Sequence, residues 1–290
     1  MKRINIFLFL TMLMCMVGVF TMTALTSCGD DDATGNSISQ STGIHNGHQW
    51  VDLGLSVKWA TCNIGASQPY EFGNYFAWGE TTGYNEGKRD FSKETYKWYE
   101  EGVGYTKYCN DTEKGIVDNK YLLDAEDDAA TVNWGANWRI PHPNEVAELM
   151  NGCYWEWTNN YNVSGVKGCI VYKAKTTTDK GIYCDAYRSV KPSAKYDLND
   201  THIFLPAAGS YNTTYYEAGG GNKEGGGLYL TSALGHDDGP GQTEKTKTNT
   251  YYYINNYTGS LIQYGFDYDE RAIGDSGPWH GYSVRAVCPF

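Results

Sequence analysis

Aromatic and acidic side chains are concentrated in the last third of the chain, where together they have the chemistry of a sugar-binding surface. The rings there are Tyr251, Tyr252, Tyr253, Tyr257, Tyr264, Tyr268 and Trp279. The apolar C–H face of a sugar stacks on such rings, while acidic neighbours such as Asp267 and Asp269 bind its hydroxyl groups. Packing in the core is the alternative, because successive side chains of a strand point to opposite faces. We therefore predict a ligand-binding site that includes Tyr264, Asp267, Tyr268, Asp269 and Trp279.

The sequence contains no motif typical of a hydrolase active site. Neither HExxH nor GxSxG occurs, which removes the common metalloprotease and serine-hydrolase patterns. A glycosidase needs two carboxylates about 5 to 9.5 Å apart across the scissile bond. Asp267, Asp269 and Glu270 could supply one of them, but a solvated loop explains these residues equally well. The sequence favours a non-enzymatic binding protein without a cofactor, with a polysaccharide-acting enzyme as the alternative.

A turn at His236, Asp237 and Asp238 raises the question of a metal site. Calcium prefers several oxygen ligands, and Asp237 and Asp238 offer carboxylates at adjacent positions. A polar loop without a metal explains the same residues, so both readings stay open. No cysteine after Cys28 lies in a CxxC motif or in the Cys/His spacing of a zinc site, and we expect no zinc cluster.

The amino-terminal segment has the layout of a secretory signal. Lys2 and Arg3 precede an apolar run of 15 residues, Ile6 to Phe20, and no acidic residue occurs before Asp30. A membrane-spanning helix is the alternative, but it needs about 20 apolar residues. Residues 25–28, LTSC, resemble the bacterial lipobox, in which the cysteine sulfur is diacylated and the peptide is cut immediately before it. We predict that residues 1–27 are a signal peptide and that Cys28 carries lipid.

Removal of residues 1–27 leaves a strongly acidic chain. The full sequence has 23 Lys and Arg and 34 Asp and Glu; residues 1–27 hold two of the basic residues and no acidic one, so the remaining charge is −13. Nucleic-acid binding depends on Lys and Arg that neutralise phosphates, and we expect no nucleic-acid partner. Residues 28–46 have almost no large apolar group and are predicted to be a flexible, lipidated tether, which leaves residues 47–290 as the folded domain.

Short strands joined by glycine-rich loops are predicted for this domain. The full chain has 25 Tyr, 9 Trp, 9 Phe and 34 Gly, which favours aromatic strands and glycine turns. A helix is predicted from Pro143 to Gly152, because apolar residues recur at helical spacing after a proline suited to its first position. A shorter helical segment is predicted at Asp124 to Val132. Strand-like segments occupy residues 48–65, 75–82, 168–187, 202–211, 227–234, 248–266 and 282–290. Residues 84–119 are predicted as loops with short elements, and the glycine-rich residues 219–227 and 274–281 as loops.

Six segments, in one order, resemble the Fibrobacter succinogenes major paralogous domain, common in secreted lipoproteins of Bacteroides-type bacteria. They are WVDLGLSVKWATCNIGA, GNYFAWGET, LLDAEDDAATVNWGANWRIPHPNEVAEL, IFLPAAG, GLYLTSAL and SVRAV, and they extend from Trp50 to Val287. Residues 138–149 are also similar, more distantly, to the WR-L-P-T-x-x-E-W segment of the formylglycine-generating enzyme superfamily. His142 and Val146 depart from that segment, where a threonine cap and an aromatic residue are usual.

The resemblance implies an α+β fold of the C-type-lectin-like kind, mostly of antiparallel strands with one or two short helices and long glycine-rich loops. In that fold the first and last strands pair, and the loops carry function. Formylglycine-type oxidases use two cysteines near the carboxyl-terminal part of the domain. Here Cys288 alone follows Cys184, so we do not expect that chemistry.

Six cysteines remain once Cys15 and Cys28 are set aside: Cys62, Cys109, Cys153, Cys169, Cys184 and Cys288. An exported domain favours disulfides, although buried thiols are the alternative in a domain of this size. Because the resemblance implies that the first and last strands adjoin, we predict a bond between Cys62 and Cys288. We predict a second bond between Cys109 and Cys153.

These observations predict a lipoprotein of the outer membrane whose domain binds a glycan or a surface protein outside the cell. Residues 30–32, three aspartates after the lipidated cysteine, resemble the signal that directs such lipoproteins to the outer face of the outer membrane. The expected partners are the membrane, through the lipid, and an extracellular ligand, as in adhesion or carbohydrate binding. A structural subunit of a surface or pilus-like assembly is an alternative to the ligand-binding role.

Replacement of Cys28 tests the predicted anchor. The variant Cys28→Ala lacks the sulfur that the acyl chains require, and we expect it to lose all labelling by radioactive palmitate. Cys15→Ala is the matched control and keeps its label, because Cys15 belongs to the cleaved segment. Persistent labelling of Cys28→Ala would contradict the lipid attachment.

Overall fold

A computed structural model describes residues 41–85, 89–184, 190–212, 214–216, 225–235, 258–267 and 271–289. All of these ranges belong to one unit, Gln40–Phe290. Residues 1–40, which include the predicted signal peptide, Cys28 and most of the tether, lie outside the described residues. So do the predicted positions His236, Asp237, Asp238, Tyr251, Tyr252, Tyr253, Tyr257, Tyr268, Asp269 and Glu270. Within the described ranges, the helices are too short and too polar to span a bilayer.

Strands dominate the described part of the chain, as the sequence predicts. They are β1 (Thr42–His45), β2 (His48–Val51), β3 (Lys58–Ala60), β4 (Tyr75–Phe76), β5 (Tyr99–Glu100), β6 (Gly104–Tyr105), β7 (Cys153–Thr158), β8 (Gly168–Lys173), β9 (Tyr183–Cys184), β10 (His202–Pro206), β11 (Ser210–Asn212), β12 (Thr214–Tyr216), β13 (Gly226–Leu234), β14 (Leu261–Asp267), β15 (Arg271–Ser276), β16 (Tyr282–Ser283) and β17 (Val287–Cys288). The α-helices are α1 (Ala129–Trp134) and α2 (Pro143–Gly152). Single 3-10 turns lie at Lys93–Thr95, Ala125–Asp127, Tyr161–Val163 and Thr177–Asp179. The coarse prediction of mostly antiparallel strands with short helices is confirmed.

The strands form three larger sheets and two two-stranded ones. Their orders are β1-β2-β3-β17, β10-β8-β7-β9, β15-β14-β13-β16-β4, β11-β12 and β5-β6. The pairs are antiparallel except for β13 with β16 and β7 with β9. Several connections are long: 22 residues separate β4 from β5, and 17 separate β9 from β10.

The last strand closes the fold against a strand near its beginning. Strand β17 pairs with β3, with Val287 opposite Trp59 and Cys288 opposite Lys58. On its other side, Val287 exchanges two backbone hydrogen bonds with Arg139, of 2.9 and 3.0 Å. The pairing of β17 with β3 therefore joins the two ends of the chain between residues 60 and 287 in one sheet.

A fully buried arginine reinforces this junction. Arg285 is 0% exposed, and it precedes β17 by two residues. Its Nε donates to Asn63 Oδ1 at 2.9 Å, and its Nη1 donates to the carbonyl oxygens of Thr61 at 2.9 Å and Ala60 at 3.2 Å. A buried guanidinium is costly unless it is hydrogen-bonded, so the chain around residue 60 must keep these acceptors in place.

The predicted helix over Pro143–Gly152 is confirmed as α2, with an unusual cap. His142 Nδ1 accepts a hydrogen bond from the amide of Asn144 at 3.2 Å, and Glu145 Oε2 accepts one from the amide of His142 at 2.8 Å. Burial lowers the pKa of His142, which favours the neutral ring that can accept this bond. An imidazole thus replaces the usual threonine, and the departure at this position leaves the helix start intact.

The helical segment predicted at Asp124 to Val132 is divided in two. A 3-10 turn over Ala125–Asp127 is followed by α1. Asp128 separates them as the amino-terminal cap: its carboxylate accepts hydrogen bonds from the amides of Thr131 and Ile140, both at 2.9 Å. Burial raises the pKa of Asp128. The acidic cluster at residues 126–128 therefore includes a structural cap, as its place before a helix indicates.

The first strand occupies a part of the chain that the sequence predicts as tether. Strand β1 lies within residues 28–46 and pairs with β2 in a hairpin, with His45 opposite His48. Asn46 and Gly47 form its two-residue turn with positive φ angles of 48° and 80°. Asn-Gly is a strong hairpin signal, and it outweighs the polar composition of the preceding residues.

Two further predictions are corrected by the strand pairing. Residues 168–187 do not form a hairpin of two adjacent strands, because β8 and β9 lie on opposite sides of β7. Residues 274–276 are not a loop but the end of β15, and residues 226 and 227 begin β13. Backbone pairing with β14 brings these glycines into strands despite their low intrinsic preference.

The six cysteines of the described chain are thiols, and no disulfide joins any two of them. The predicted Cys62–Cys288 bond is not formed, since the register of β17 places Cys288 opposite Lys58, four residues before Cys62. The predicted Cys109–Cys153 bond is not formed either, because these residues belong to different clusters of the core. The last strand lies next to β3, which precedes Cys62, and not next to the first strand, but adjacency alone does not fix which residues meet.

Asn63 provides a test of the Arg285 junction. Asn63→Ala removes the acceptor of Arg285 Nε and leaves a buried N–H of the charged guanidinium without a partner, so we expect a loss of about 2 kcal/mol in the free energy of unfolding. Urea denaturation of the full-length protein measures it. The control Asn144→Ala alters an exposed side chain and should change stability by less than about 0.5 kcal/mol. Equal stability of the two variants would contradict a role for the junction.

Candidate functional site

Four partly exposed aromatic rings pack against one buried cluster in the loop region of the domain. The four rings are Tyr84, Trp98, Tyr99 and Trp279, which we call the aromatic site. The buried cluster beneath them includes Phe91, Tyr96, Tyr105 and Tyr211. Rings with one side in the core and another toward solvent are typical of surfaces that bind apolar faces of a ligand.

The segment that carries Trp279 is fixed by backbone hydrogen bonds. The amide of Trp78 donates to the Pro278 carbonyl at 2.8 Å, and Gly281 exchanges two bonds of 2.8 Å with Tyr211. Gly281 lies so close to the ring of Phe91 that a Cβ there would approach it to 2.6 Å. These contacts hold Trp279 in position from both sides, which pre-organises its ring for binding.

Lys93 lies among two rings of the aromatic site and one ring of the buried cluster. Its Nζ is 4.4 Å from the ring centroid of Tyr99, 5.6 Å from that of Tyr105 and 5.9 Å from that of Trp279. The residue begins a 3-10 turn whose end is fixed by Thr95, because the Thr95 hydroxyl donates to the Asp90 carbonyl at 2.7 Å. The site therefore combines a cation with aromatic faces.

A polar cleft adjoins Tyr84. Its volume is about 560 Å³, and its walls are formed by Glu80, Thr81, Thr82, Tyr84, Arg89, Asp90, Thr95 and Lys97. Arg89 binds both carboxylate oxygens of Glu80 and stacks over the Tyr84 ring at 5.1 Å. Hydroxyl and charged groups next to a ring are the partners that sugar hydroxyls need.

Glu80, one of the two carboxylate residues that line this cleft, makes structural contacts. It is buried, and it accepts the bidentate pair from Arg89 and a bond of 2.9 Å from the amide of Lys97. These charge-assisted hydrogen bonds hold the Glu80 carboxylate in one position at the wall of the cleft.

An ion cluster supports the aromatic site from the side of Trp98. Asp127 is 2% exposed and accepts hydrogen bonds from Lys107 at 2.5 Å, Tyr108 at 2.7 Å and Lys97 at 3.1 Å. Both ammonium groups also stack on the Trp98 ring, at 4.1 Å for Lys97 and 5.1 Å for Lys107. Burial acts to raise the pKa of Asp127, but the three hydrogen bonds outweigh it and the pKa is lowered.

The predicted binding residues have different locations. Trp279 belongs to the aromatic site. Tyr264 does not: it is 0% exposed and stacks on Tyr229 in the core, with ring centroids 5.3 Å apart, because its position in β14 points inward. The backbone of Asp267 ends β14 opposite Gly226. Tyr268 and Asp269 lie outside the described residues, so the structure separates Trp279 from Tyr264 and says nothing of these two.

Three rings of the aromatic site come from a segment that the sequence predicts as loops with short elements. Tyr84, Trp98 and Tyr99 lie within residues 84–119, where no clean periodicity occurs. The available signal is the density of aromatic residues in this polar segment. Alternation and helical spacing do not detect these residues, because the elements that hold them, such as the two-residue strand β5 and the Tyr75–Tyr84 bridge, are too short to show a period.

A second cleft, of about 310 Å³, contains a tyrosine–histidine pair. Tyr161 Oη lies 2.9 Å from His202 Nε2, while His202 Nδ1 lies 2.7 Å from the carbonyl oxygen of Asp200. The carbonyl can only accept, so Nδ1 donates and Nε2 of a neutral ring accepts from Tyr161. Asp200 is the single carboxylate residue that lines the cleft, and its side chain is paired with Lys175 at 2.6 Å.

Among the described residues, no group of three or more His, Cys, Asp and Glu side chains is arranged to hold a metal ion. Asp237 and Asp238, the residues of the possible calcium site, lie outside those ranges. In comparisons with known proteins, no family model, no curated protein and no solved structure matches this chain. The geometry of the aromatic site is therefore the basis for a functional assignment.

The pKa of Asp127 predicts a pH-dependent contribution to stability. A carboxylate whose folded-state pKa lies below its ordinary value of 3.8 stabilises the fold above about pH 4, and the contribution is lost as the pH falls. Asp127→Asn should therefore cost about 3 kcal/mol at pH 7 and much less at pH 3, as urea denaturation at both values would measure.

The exposed neighbour Glu126 is the matched control. Glu126→Gln should have little effect at either pH, because the Glu126 side chain is 77% exposed. A cost for Asp127→Asn that is equal at pH 7 and pH 3 would show that charge on Asp127 does not matter.

Proposed function

We propose that this domain is a non-catalytic binding module whose aromatic site recognises an extracellular ligand, a glycan in the first place or a surface protein. The observation that carries the proposal is the set of four partly exposed rings on one buried cluster, beside a polar cleft. Ring faces supply apolar contact, and the cleft supplies hydrogen-bond partners.

A lipid anchor on Cys28 places this site outside the cell in our proposal. Acyl chains on the cysteine hold the chain in the outer membrane, and the acidic residues after it direct the protein to the outer face. Since two acyl chains give stable attachment, no membrane-spanning helix is needed. The first strand begins at Thr42, which leaves residues 29–41 between the proposed anchor and β1.

We also propose the C-type-lectin-like kind of α+β fold and membership of the Fibrobacter succinogenes major paralogous domain. Two observations support this finer assignment. The terminal strand pairs with a strand near the start of the domain, and the aromatic site lies in long loops. Both are expected for that fold, in which loops carry function.

The structural-subunit alternative is favoured by one observation. Strand β1 is an edge of its sheet, and Ile44 at its centre is 75% exposed. Exposed edge strands can pair with another chain. Size-exclusion chromatography with light scattering would detect such pairing between copies, and Ile44→Lys should abolish it if β1 is responsible.

Trp279 provides the test of the binding proposal. Trp279→Ala removes a central ring, and we expect it to lose about 2 kcal/mol of binding free energy on a glycan array or with host glycoproteins. Tyr70→Ala is the control, because Tyr70 is a partly buried ring that packs on a different cluster. A folded wild-type protein that binds nothing on a broad array would contradict the proposal.

A further inference from the structure

One cation of the aromatic site contacts rings instead of a carboxylate. The rings of Tyr99, Tyr105 and Trp279 are arranged around the Lys93 ammonium at 4.4 to 5.9 Å. The Lys93 side chain is partly exposed, so a ligand that stacks on Trp279 or Tyr99 would also meet its charge.

The neighbouring cations are neutralised by carboxylates. Arg89 is paired with Glu80, and both Lys97 and Lys107 are paired with Asp127. Within the described ranges, Lys93 makes no ion pair of this kind. A cation–π contact does not neutralise the positive charge of the ammonium. At a partly exposed position such a contact is also weak. An incoming anion can therefore bind Lys93 without breaking an existing ion pair.

We infer that the aromatic site selects acidic saccharides, with a sugar ring on Trp279 or Tyr99 and the carboxylate or sulfate of that sugar at Lys93 Nζ. This inference rests on the proposed function and gives its ligand a chemical class. A charge-assisted hydrogen bond to the ammonium adds to stacking, which neutral sugars cannot match.

The net charge of the rest of the chain opposes the binding of acidic ligands, so Lys93 must supply the local attraction. Without residues 1–27 the chain carries −13 and repels acidic polymers over most of its surface. Glu94 and Glu100 are near Lys93 in sequence, but both are exposed and their charges are screened by solvent and salt. The contact with Lys93 is thus the favourable interaction that an acidic sugar makes and its neutral counterpart does not.

Lys93→Met tests this inference, because methionine keeps a long apolar side chain against the rings and removes the charge. Purified full-length protein is titrated with a uronic-acid polymer, with the carboxyl-reduced neutral form of that polymer and with a sulfated polysaccharide. We expect Lys93→Met to bind the acidic polymers at least about tenfold more weakly, with neutral binding unchanged. Lys93→Arg should retain acidic binding. The uronic-acid and sulfated arms distinguish a carboxylate ligand from a sulfate ligand.

Lys175→Met is the matched control. Lys175 also stacks on a tyrosine, with Nζ 4.9 Å from the Tyr196 ring, but it is paired with Asp200 and lies outside the aromatic site. Its replacement should leave all three titrations unchanged. If Lys93→Met binds the acidic polymers as tightly as wild type, or if wild type prefers the neutral polymer, the inference is overturned and the binding function stands. If folded wild type binds none of the three polymers, the inference is likewise overturned, and the glycan array decides the binding function separately.

Discussion

The rest of the structure depends on one buried charge at the junction between the two ends of the domain. Arg285 has no access to solvent, and its described hydrogen bonds go to Asn63 and to the carbonyls of residues 60 and 61. A buried guanidinium tolerates few arrangements of its acceptors, so it fixes where the last strand meets β3. Hydrophobic contacts alone would allow this strand to slide, whereas hydrogen bonds to named acceptors set one position.

The aromatic site follows from this closure. The residues just before Arg285 form β16, which pairs with β4, and the segment before β16 carries Trp279. Strand β4 leads directly into Trp78 and Gly79, whose carbonyls accept hydrogen bonds from Tyr96 and Trp98. Two segments about 200 residues apart, joined at Trp78 and Pro278, are therefore held together at this junction. The first leads to Tyr84, Trp98 and Tyr99, and the second carries Trp279.

Much of the fold can be predicted from the sequence, and the exceptions have physical causes. Helix α2 can be predicted because a proline at its start, an acidic residue in its first turn and apolar residues at helical spacing all indicate the same helix. His142 caps this helix in place of the usual threonine. Hairpin β1–β2 departs from the predicted tether, because the Asn-Gly turn stabilises a hairpin that the polar composition of the segment does not indicate. The disulfide pairs failed because register, not adjacency, decides which residues face each other. Trp279 and Tyr264 are both aromatic residues in the last third of the chain, and both are predicted to bind ligand. Tyr264 nevertheless lies in the core, because the burial of a side chain depends on the whole fold and cannot be read from residue type.

The central claim is that the aromatic site binds a saccharide. A crystal structure of the full-length protein with a saccharide ligand tests it most directly, since it shows where the sugar lies. The account predicts a sugar ring stacked on Trp279 or Tyr99, with hydroxyl groups directed to the cleft of Glu80 and Arg89. A sugar bound elsewhere, such as in the cleft of Tyr161 and His202, with the aromatic site empty, would contradict it.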